Sequence, residues 1–176
     1  IKEEYMLIQY IESHYSQYNN MILLALYTGM RIGEVLALTT EDFNFDEDYG
    51  TIRVNKTITK NKSGKRVVGN VTKTKNGKRN LHLDKKSKEV VEKAIKEMAP
   101  NKRNLLFLRK DGKIYEDSQI NSAFKRICKN AGIKVVMTKH KKVSKSKGVH
   151  YVNEKTSDVH VHMLRHTFAT RCIEAG

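Results

Sequence analysis

The stretch from Asn19 to Gly29 limits what this chain can fold into more than any other. Its centre, Met21 to Tyr27, is apolar at nearly every position. It is far shorter than the roughly twenty apolar residues that cross a bilayer. A helix that is apolar on most sides must be covered on most sides, so this segment is expected at the middle of a core. Asn19 suits an N-cap and Gly29 suits the stop.

The surrounding pattern supplies the cover. Residues 2 to 18 read as a helix, with Met6 and Tyr10 at helical spacing beside Ile8, Ile11 and Tyr15, and with Glu3 and Glu4 near its start. After Gly29, Met30 to Leu38 predicts a short helix that turns Val35, Leu36 and Leu38 inward, with Arg31 at the turn that feeds it. From Asp46 to Leu83 the period changes to strands: Thr51 to Ile58 alternates around Ile52, Val54 and Ile58, and Asn61 to Lys65 holds a Ser-Gly turn. Val67 to Thr74 returns, Asn76-Gly77 is a hairpin dipeptide, and Leu81 and Leu83 alternate behind it.

Asp84 or Ser87 caps a helix running to about Met98, just before Pro100. Leu105 to Leu108 is a short apolar segment, and Asp111-Gly112 is a turn. Asp117 or Ser118 caps a further helix, which turns Ile120, Phe124, Ile127 and Ala131 inward and ends at Gly132. The last helix starts at about Val159. The result is a mainly α chain with a small antiparallel β-sheet of about three strands, folded as one domain over residues 1–176.

Charge selects the partner. With 34 Lys and Arg against 19 Asp and Glu, the formal net charge is +15 and the pI near 9.8, a field whose usual partners are nucleic acid or an anionic membrane surface. No apolar run spans a membrane and no lipidation motif is present, which leaves nucleic acid. Cys128 and Cys172 are too few for a disulfide framework or a cysteine metal site, and both fall on inward stripes as buried thiols. The chain starts on a charged helix without a signal pattern, an expectation of the cytoplasm, and without Met, an expectation of a fragment or a processed chain.

Lys134 to Tyr151 differs in kind. It carries Lys134, Lys139, Lys141, Lys142, Lys145 and Lys147 with no acidic residue among them. Two readings stand side by side, a mobile solvated loop and a phosphate-contacting hairpin.

The chemistry gathers in two stretches. In His162 to Thr170, His162 and Arg165 lie three residues apart and share a helical face, while Val161, Leu164, Phe168 and Cys172 form a second stripe suited to burial. Arginine offers planar, permanently charged donors, and histidine moves a proton near neutral pH. Arg31 lies at a turn between core helices. A core that joins Arg31 to Arg165 makes a clamp for a phosphodiester, and Glu34 can orient the Arg31 guanidinium.

These residues carry a resemblance. Thr28-Gly29-Met30-Arg31-Ile32-Gly33-Glu34-Val35-Leu36-Ala37-Leu38 resembles the first arginine motif of the tyrosine recombinases, the phage-type integrases. His162-Met163-Leu164-Arg165-His166-Thr167-Phe168-Ala169-Thr170 resembles their second, H-x-L-R-H. The resemblance spans nearly the whole chain and implies a tyrosine recombinase catalytic-domain fold. It implies that Arg31 and Arg165 hold the scissile phosphate, that His162 transfers a proton, and that Glu34 supports Arg31. It also implies a lysine acid on the sheet hairpin, best matched by Lys73, with Lys75 and Lys78 next. His166 is expected to support the site. Lys75, Lys78 and Arg79, with Lys139, Lys141 and Lys142, form the expected DNA-contacting set.

The implied activity is site-specific recombination of double-stranded DNA by strand cleavage and rejoining through a 3′-phosphotyrosyl intermediate. It needs no metal, no nucleotide and no small-molecule cofactor. The implied assembly is a homo-tetramer on DNA, and the implied source is a phage or conjugative element. The family's tyrosine lies well beyond the second motif, and none of the eight tyrosines here follows Arg165. A catalytic domain cut before its nucleophile, and lacking the small helical core-binding domain that precedes it in the family, is therefore expected. Two rival readings are a non-catalytic DNA-binding module and a metal-independent nuclease using His162 and His166.

Overall fold

The computed structural model describes residues 2–47, 49–70, 77–142, 152–157 and 159–176. Helix α2 (Asn19–Thr28) is the central element, with Met21, Ile22 and Leu24 fully enclosed. Helix α4 (Lys85–Glu97) packs against it through Val90, Val91 and Ala94, and helix α6 (Met163–Glu174) packs through Leu164. Helices α1 (Lys2–Ser13) and α5 (Asp117–Asn130) pack on one another, with Leu7, Ile11, Ile127 and Cys128 buried. Burial pushes the Cys128 thiol up to about 12, so it is an inert core group.

Helix α1 ends at Ser13, before the expected residue 18. The reason is Asn19, whose side-chain amide donates to the carbonyls of Ile11 (3.1 Å) and His14 (2.7 Å). Those carbonyls are satisfied from α2, and the chain turns between Ser16 and Asn19. Asn19 is thus a buried strut in the first turn of α2 and not its N-cap, which is Tyr18. The α2 stop is as expected: Gly29 takes a left-handed φ of 63° and its N–H donates to Ala25.

A short helix α3 (Ile32–Val35) follows, and Val35, Leu36 and Leu38 are buried. Strands β1 (Phe43–Phe45), β2 (Gly50–Val54) and β5 (Arg79–Leu83) form an antiparallel sheet in the order β1-β2-β5, with Ile52 opposite Phe43 and Leu81. Strands β3 (Lys56–Lys60) and β4 (Arg66–Asn70) form a separate hairpin closed by the expected Asn61–Lys65 turn. The strand expected over Thr51–Ile58 is therefore two, broken at Asn55. Lys56 continues the inward phase of Ile52 and Val54, and its ammonium lies 2.5 Å from the buried carboxylate of Asp42 and 2.8 Å from Thr39 Oγ1. A cation in that phase has to meet a charge, and β3 leaves the sheet to pair with β4.

Helix α4 has Asp84 as N-cap, accepting from the Ser87 N–H at 2.9 Å. Helix α5 is capped one residue before the expected Asp117 or Ser118, by Glu116 in a capping box with Gln119. Arg66 clips the β3–β4 hairpin to this helix start through Glu116 (2.8 Å) and Asp117 (2.7 Å). Within the lysine-rich stretch, β6 (Met137–Lys142) pairs antiparallel with β7 (Val152–Ser157), which follows it; the rest of the stretch from residue 143 to 151 lies outside the described residues. Among the described residues no helix is long and apolar enough to cross a membrane.

Helix α6 starts later than expected, at Met163, and corrects its stripe. Val161 and Leu164 are buried and Phe168 is half-buried, but Cys172 is exposed. The direction facing α2 passes from Leu164 and Phe168 to Arg171, which donates to the Leu26 carbonyl (3.3 Å) and pairs with Glu4. A Cβ on Gly29 would run into the Phe168 ring. Gly29→Ala is expected to cost about 2–5 kcal/mol, the sum of left-handed strain and overpacking. In a Phe168→Ala background the same substitution should cost only the conformational part, about 1–2 kcal/mol. Equal losses in both backgrounds, measured by urea unfolding, would contradict this packing.

Candidate phosphate-binding site

The site is built around the end of α2. Its last carbonyls have no helical partner, and that of Gly29 accepts a 2.6 Å hydrogen bond from Arg165 Nη1. The two residues are 136 positions apart in sequence. The left-handed turn at Gly29 then reverses the chain, so that Arg31 becomes the N-cap of α3. Gly33, in the first turn of α3, lies so close to β3 that a Cβ there would sit 2.9 Å from Thr57 Oγ1. Helix α3 is thereby pressed onto the hairpin, and its position fixes that of Arg31.

Glu34 is the buried member, its side chain 1% exposed. Its Oε2 accepts the Arg31 backbone N–H at 2.9 Å and its Oε1 accepts Arg31 Nη1 at 3.2 Å. The guanidinium of Arg79 meets the same carboxylate from β5, with Nη2 2.9 Å from Oε2 and Nη1 3.3 Å from Oε1. Burial pushes the Glu34 carboxyl up, but the hydrogen bond from Arg79 and then that from the Arg31 N–H outweigh it. The net shift is below the usual carboxylate value. Arg31 itself is turned outward, its side chain 56% exposed.

The lead-in to α6 is a turn in which the Met163 N–H donates to the His160 carbonyl at 2.9 Å, and Val159 and Val161 are buried while His160 and His162 are exposed. The Val161 N–H is held by Asn121 Oδ1 of α5 at 2.8 Å. The imidazole of His162 lies 5.0 Å edge-on from that of His166 and 6.3 Å from that of His160, measured between centroids. Its pKa is lowered, first by desolvation and then by the nearby positive charges of His166, His160, Arg165 and Arg31. Arg165 reaches the Gly29 carbonyl and Arg31 follows two residues later, with Glu34 beneath it, and both arginines bear on the His162 titration.

Of the remaining residues named from the sequence, Lys78 is exposed, and Lys139, Lys141 and Lys142 lie on β6. Lys73 and Lys75 lie outside the described residues. Arg79, grouped above with the DNA-contacting cations, has both prongs on Glu34. That pairing and the presence of His160 were missed, although each had a signal. Arg79 is in phase with Leu81 and Leu83, and His160 alternates with Val159 and Val161. Among the described residues no group of three His, Cys, Asp or Glu side chains is placed to hold a metal ion.

Exposed Arg31 and His162 and half-buried Arg165 lie near the end of α2, with Glu34 buried beneath Arg31, and guanidinium donors of this kind suit a phosphate ester. The profile of the phage integrase family matches residues 2–176, and the chain belongs to this family, the tyrosine recombinases. Solved structures share its fold. The Tn1549 transposon integrase in complex with circular intermediate DNA superposes with a TM-score of 0.71 at 24% identity, over 99% of this chain and 53% of that one. The XerH site-specific recombinase bound to difH substrate gives 0.63 at 21%, over 99% and 42%. A lambda integrase dimer bound to a core site gives 0.51 at 16%, over 96% and 49%. The chain therefore spans about half the length of the solved chains it matches. No curated protein matches it.

Two consequences of the electrostatics can be measured. The His162 titration followed by NMR should have its midpoint below the ordinary value of about 6.5, and Arg31→Ala should raise it by removing a like charge. An unchanged midpoint would separate the two groups. For Glu34, a folded pKa below the unfolded one adds stability that is full above about pH 4.5 and is lost as pH falls through the folded value. Glu34→Gln should therefore lower the thermal midpoint at pH 7, with the gap to wild type narrowing in acid. A gap that does not vary with pH would contradict the assignment.

Proposed function

We propose that this chain is the phosphate-holding part of the catalytic domain of a DNA site-specific recombinase, an integrase of a phage or conjugative element. The observation that carries the reading is the Arg165 hydrogen bond to the Gly29 carbonyl, which brings the helix that carries His162 and Arg165 to the turn that feeds Arg31. In this reading both guanidinium groups bind the nonbridging oxygens of one phosphodiester and stabilise the charge that builds on them as phosphorus becomes five-coordinate. The nucleophile is a tyrosine further along the polypeptide. Its phenolic oxygen bonds to phosphorus as the bond to the 5′ oxygen breaks, leaving a 3′-phosphotyrosyl link and a 5′-hydroxyl.

His162 takes the phenolic proton, for which a depressed pKa suits it, because the neutral ring is then the resting form at pH 7. Lys73 donates a proton to the leaving 5′ oxygen, and His166 supports His162 through their ring contact. The hydroxyl of a partner strand attacks the link and reverses these steps, so bond energy is kept and no metal or nucleotide is consumed. Lys75, Lys78, Lys139, Lys141 and Lys142 contact backbone phosphates of double-stranded DNA. The protein acts in the cytoplasm as a homo-tetramer on DNA, since two duplexes exchange four strands.

The test uses the full-length protein and duplex DNA from the junctions of its own genetic element. A denaturing gel should reveal a covalent protein–DNA adduct. Arg165→Ala should cut adduct formation about 10³-fold, the upper end for losing one charge-stabilising donor, while DNA binding stays and remains steeply salt-sensitive. Undiminished adduct in that variant would overturn the clamp. Tight DNA binding without adduct in the wild type would favour the non-catalytic DNA-binding module.

A further inference from the structure

Glu34 serves two arginines, and the two are not equivalent. Arg79, the first residue of β5, approaches the carboxylate with both prongs of its fork, a bidentate pair in which one nitrogen faces each oxygen. Its side chain is 24% exposed. Arg31 gives Glu34 its backbone N–H and only one guanidinium nitrogen, Nη1. Among the described residues its Nη2 and Nε meet no protein acceptor, and its side chain is more than twice as exposed as that of Arg79.

The difference bears on what Arg31 can do. A buried carboxylate with a single cationic partner pulls that partner fully onto itself or takes up a proton, because an uncompensated buried charge is costly. Either outcome removes Arg31 from its outward setting or releases it from its guide. A second cation that neutralises the carboxylate separately allows Glu34 to steer Arg31 while leaving most of its donors unused.

We propose that Arg79 is a positioning residue of the phosphate site: by neutralising Glu34 from β5 it lets Glu34 align Arg31 without consuming it, which keeps Arg31 Nη2 and Nε available for a phosphodiester oxygen. The proposal rests on the recombinase reading above. It assigns Arg79 to the interior of the site, in place of direct contact with DNA. The dominance of Arg79 among the influences that lower the Glu34 pKa accords with it.

The experiment compares wild type, Arg79→Lys, Arg79→Ala, Glu34→Gln and the double variant Glu34→Gln/Arg79→Ala of the full-length protein. Readouts are the single-turnover rate of adduct formation, the salt dependence of DNA affinity, and the response of the Arg31 side-chain 15N signal to inorganic phosphate. Arg79→Ala should slow adduct formation at least tenfold on saturating DNA, with an unchanged salt slope and a weakened phosphate response at Arg31. Arg79→Lys, which keeps the charge but not the fork, should fall between. With the carboxylate already neutral, the double variant should be no slower than Glu34→Gln alone.

Multiplying losses in the double variant would overturn the proposal, as would a wild-type rate in Arg79→Ala. A salt slope reduced by about one unit would overturn it in favour of a direct phosphate contact. If Arg79→Ala does not fold, Arg79→Lys decides, since a rate and a phosphate response equal to wild type would overturn the proposal. If the wild type forms no adduct, the recombinase reading falls. The phosphate response at Arg31 then still decides the role of Arg79, and an equal response with and without Arg79 overturns it.

Discussion

The hydrogen bond from Arg165 to the Gly29 carbonyl is the contact on which the site depends. The C-terminal end of α2 carries a partial negative charge on carbonyls with no helical partner. Helix α6 answers it twice, with Arg165 on Gly29 and Arg171 on Leu26. One electrostatic fact about a helix end therefore fixes where the second arginine motif meets the first. It works because Gly29 has no side chain: the same residue turns the chain toward Arg31, offers its oxygen to Arg165 and leaves room for Phe168.

A second regularity runs through the strands. Glu34, in α3, and Asp42, the last residue of a 3-10 turn (Thr40–Asp42), are buried carboxylates, and each receives a cation from the inward phase of a strand, Lys56 of β3 and Arg79 of β5. These pairs align helices against strands more than they stabilise the fold, since desolvation offsets much of their attraction. In the Asp42 pair the result is architectural: β3 departs from the main sheet, and α3 rests on it through Gly33. In the Glu34 pair the result reaches the surface, because the carboxylate also holds Arg31.

Much of this was legible in the sequence because period and caps are local. The apolar run of α2 forced a central helix, and Asp84 and Gly29 marked boundaries that the structure keeps. What escaped was cross-chain satisfaction of polar groups. Asn19 looked like an N-cap but caps the carbonyls of α1. Cys172 continued an apolar stripe, yet Arg171 takes the inward direction because a helix-end carbonyl and Glu4 await it. Arg79 read as one more cation in a basic stretch, although its phase with Leu81 and Leu83 pointed it inward. Spacing joined His162 to Arg165 and Glu34 to Arg31, but the meeting of the two pairs rested on motif likeness, since no local rule joins residues so far apart.

The central claim is that Arg31 and Arg165 together hold one phosphate beside His162. A crystal structure of the protein bound to duplex DNA tests it most directly. The account predicts a single backbone phosphate within about 3 Å of both guanidinium groups, with the His162 ring facing it and Arg79 still on Glu34. A duplex seated on the lysines alone, with the two arginines contacting different phosphates or none, would contradict it.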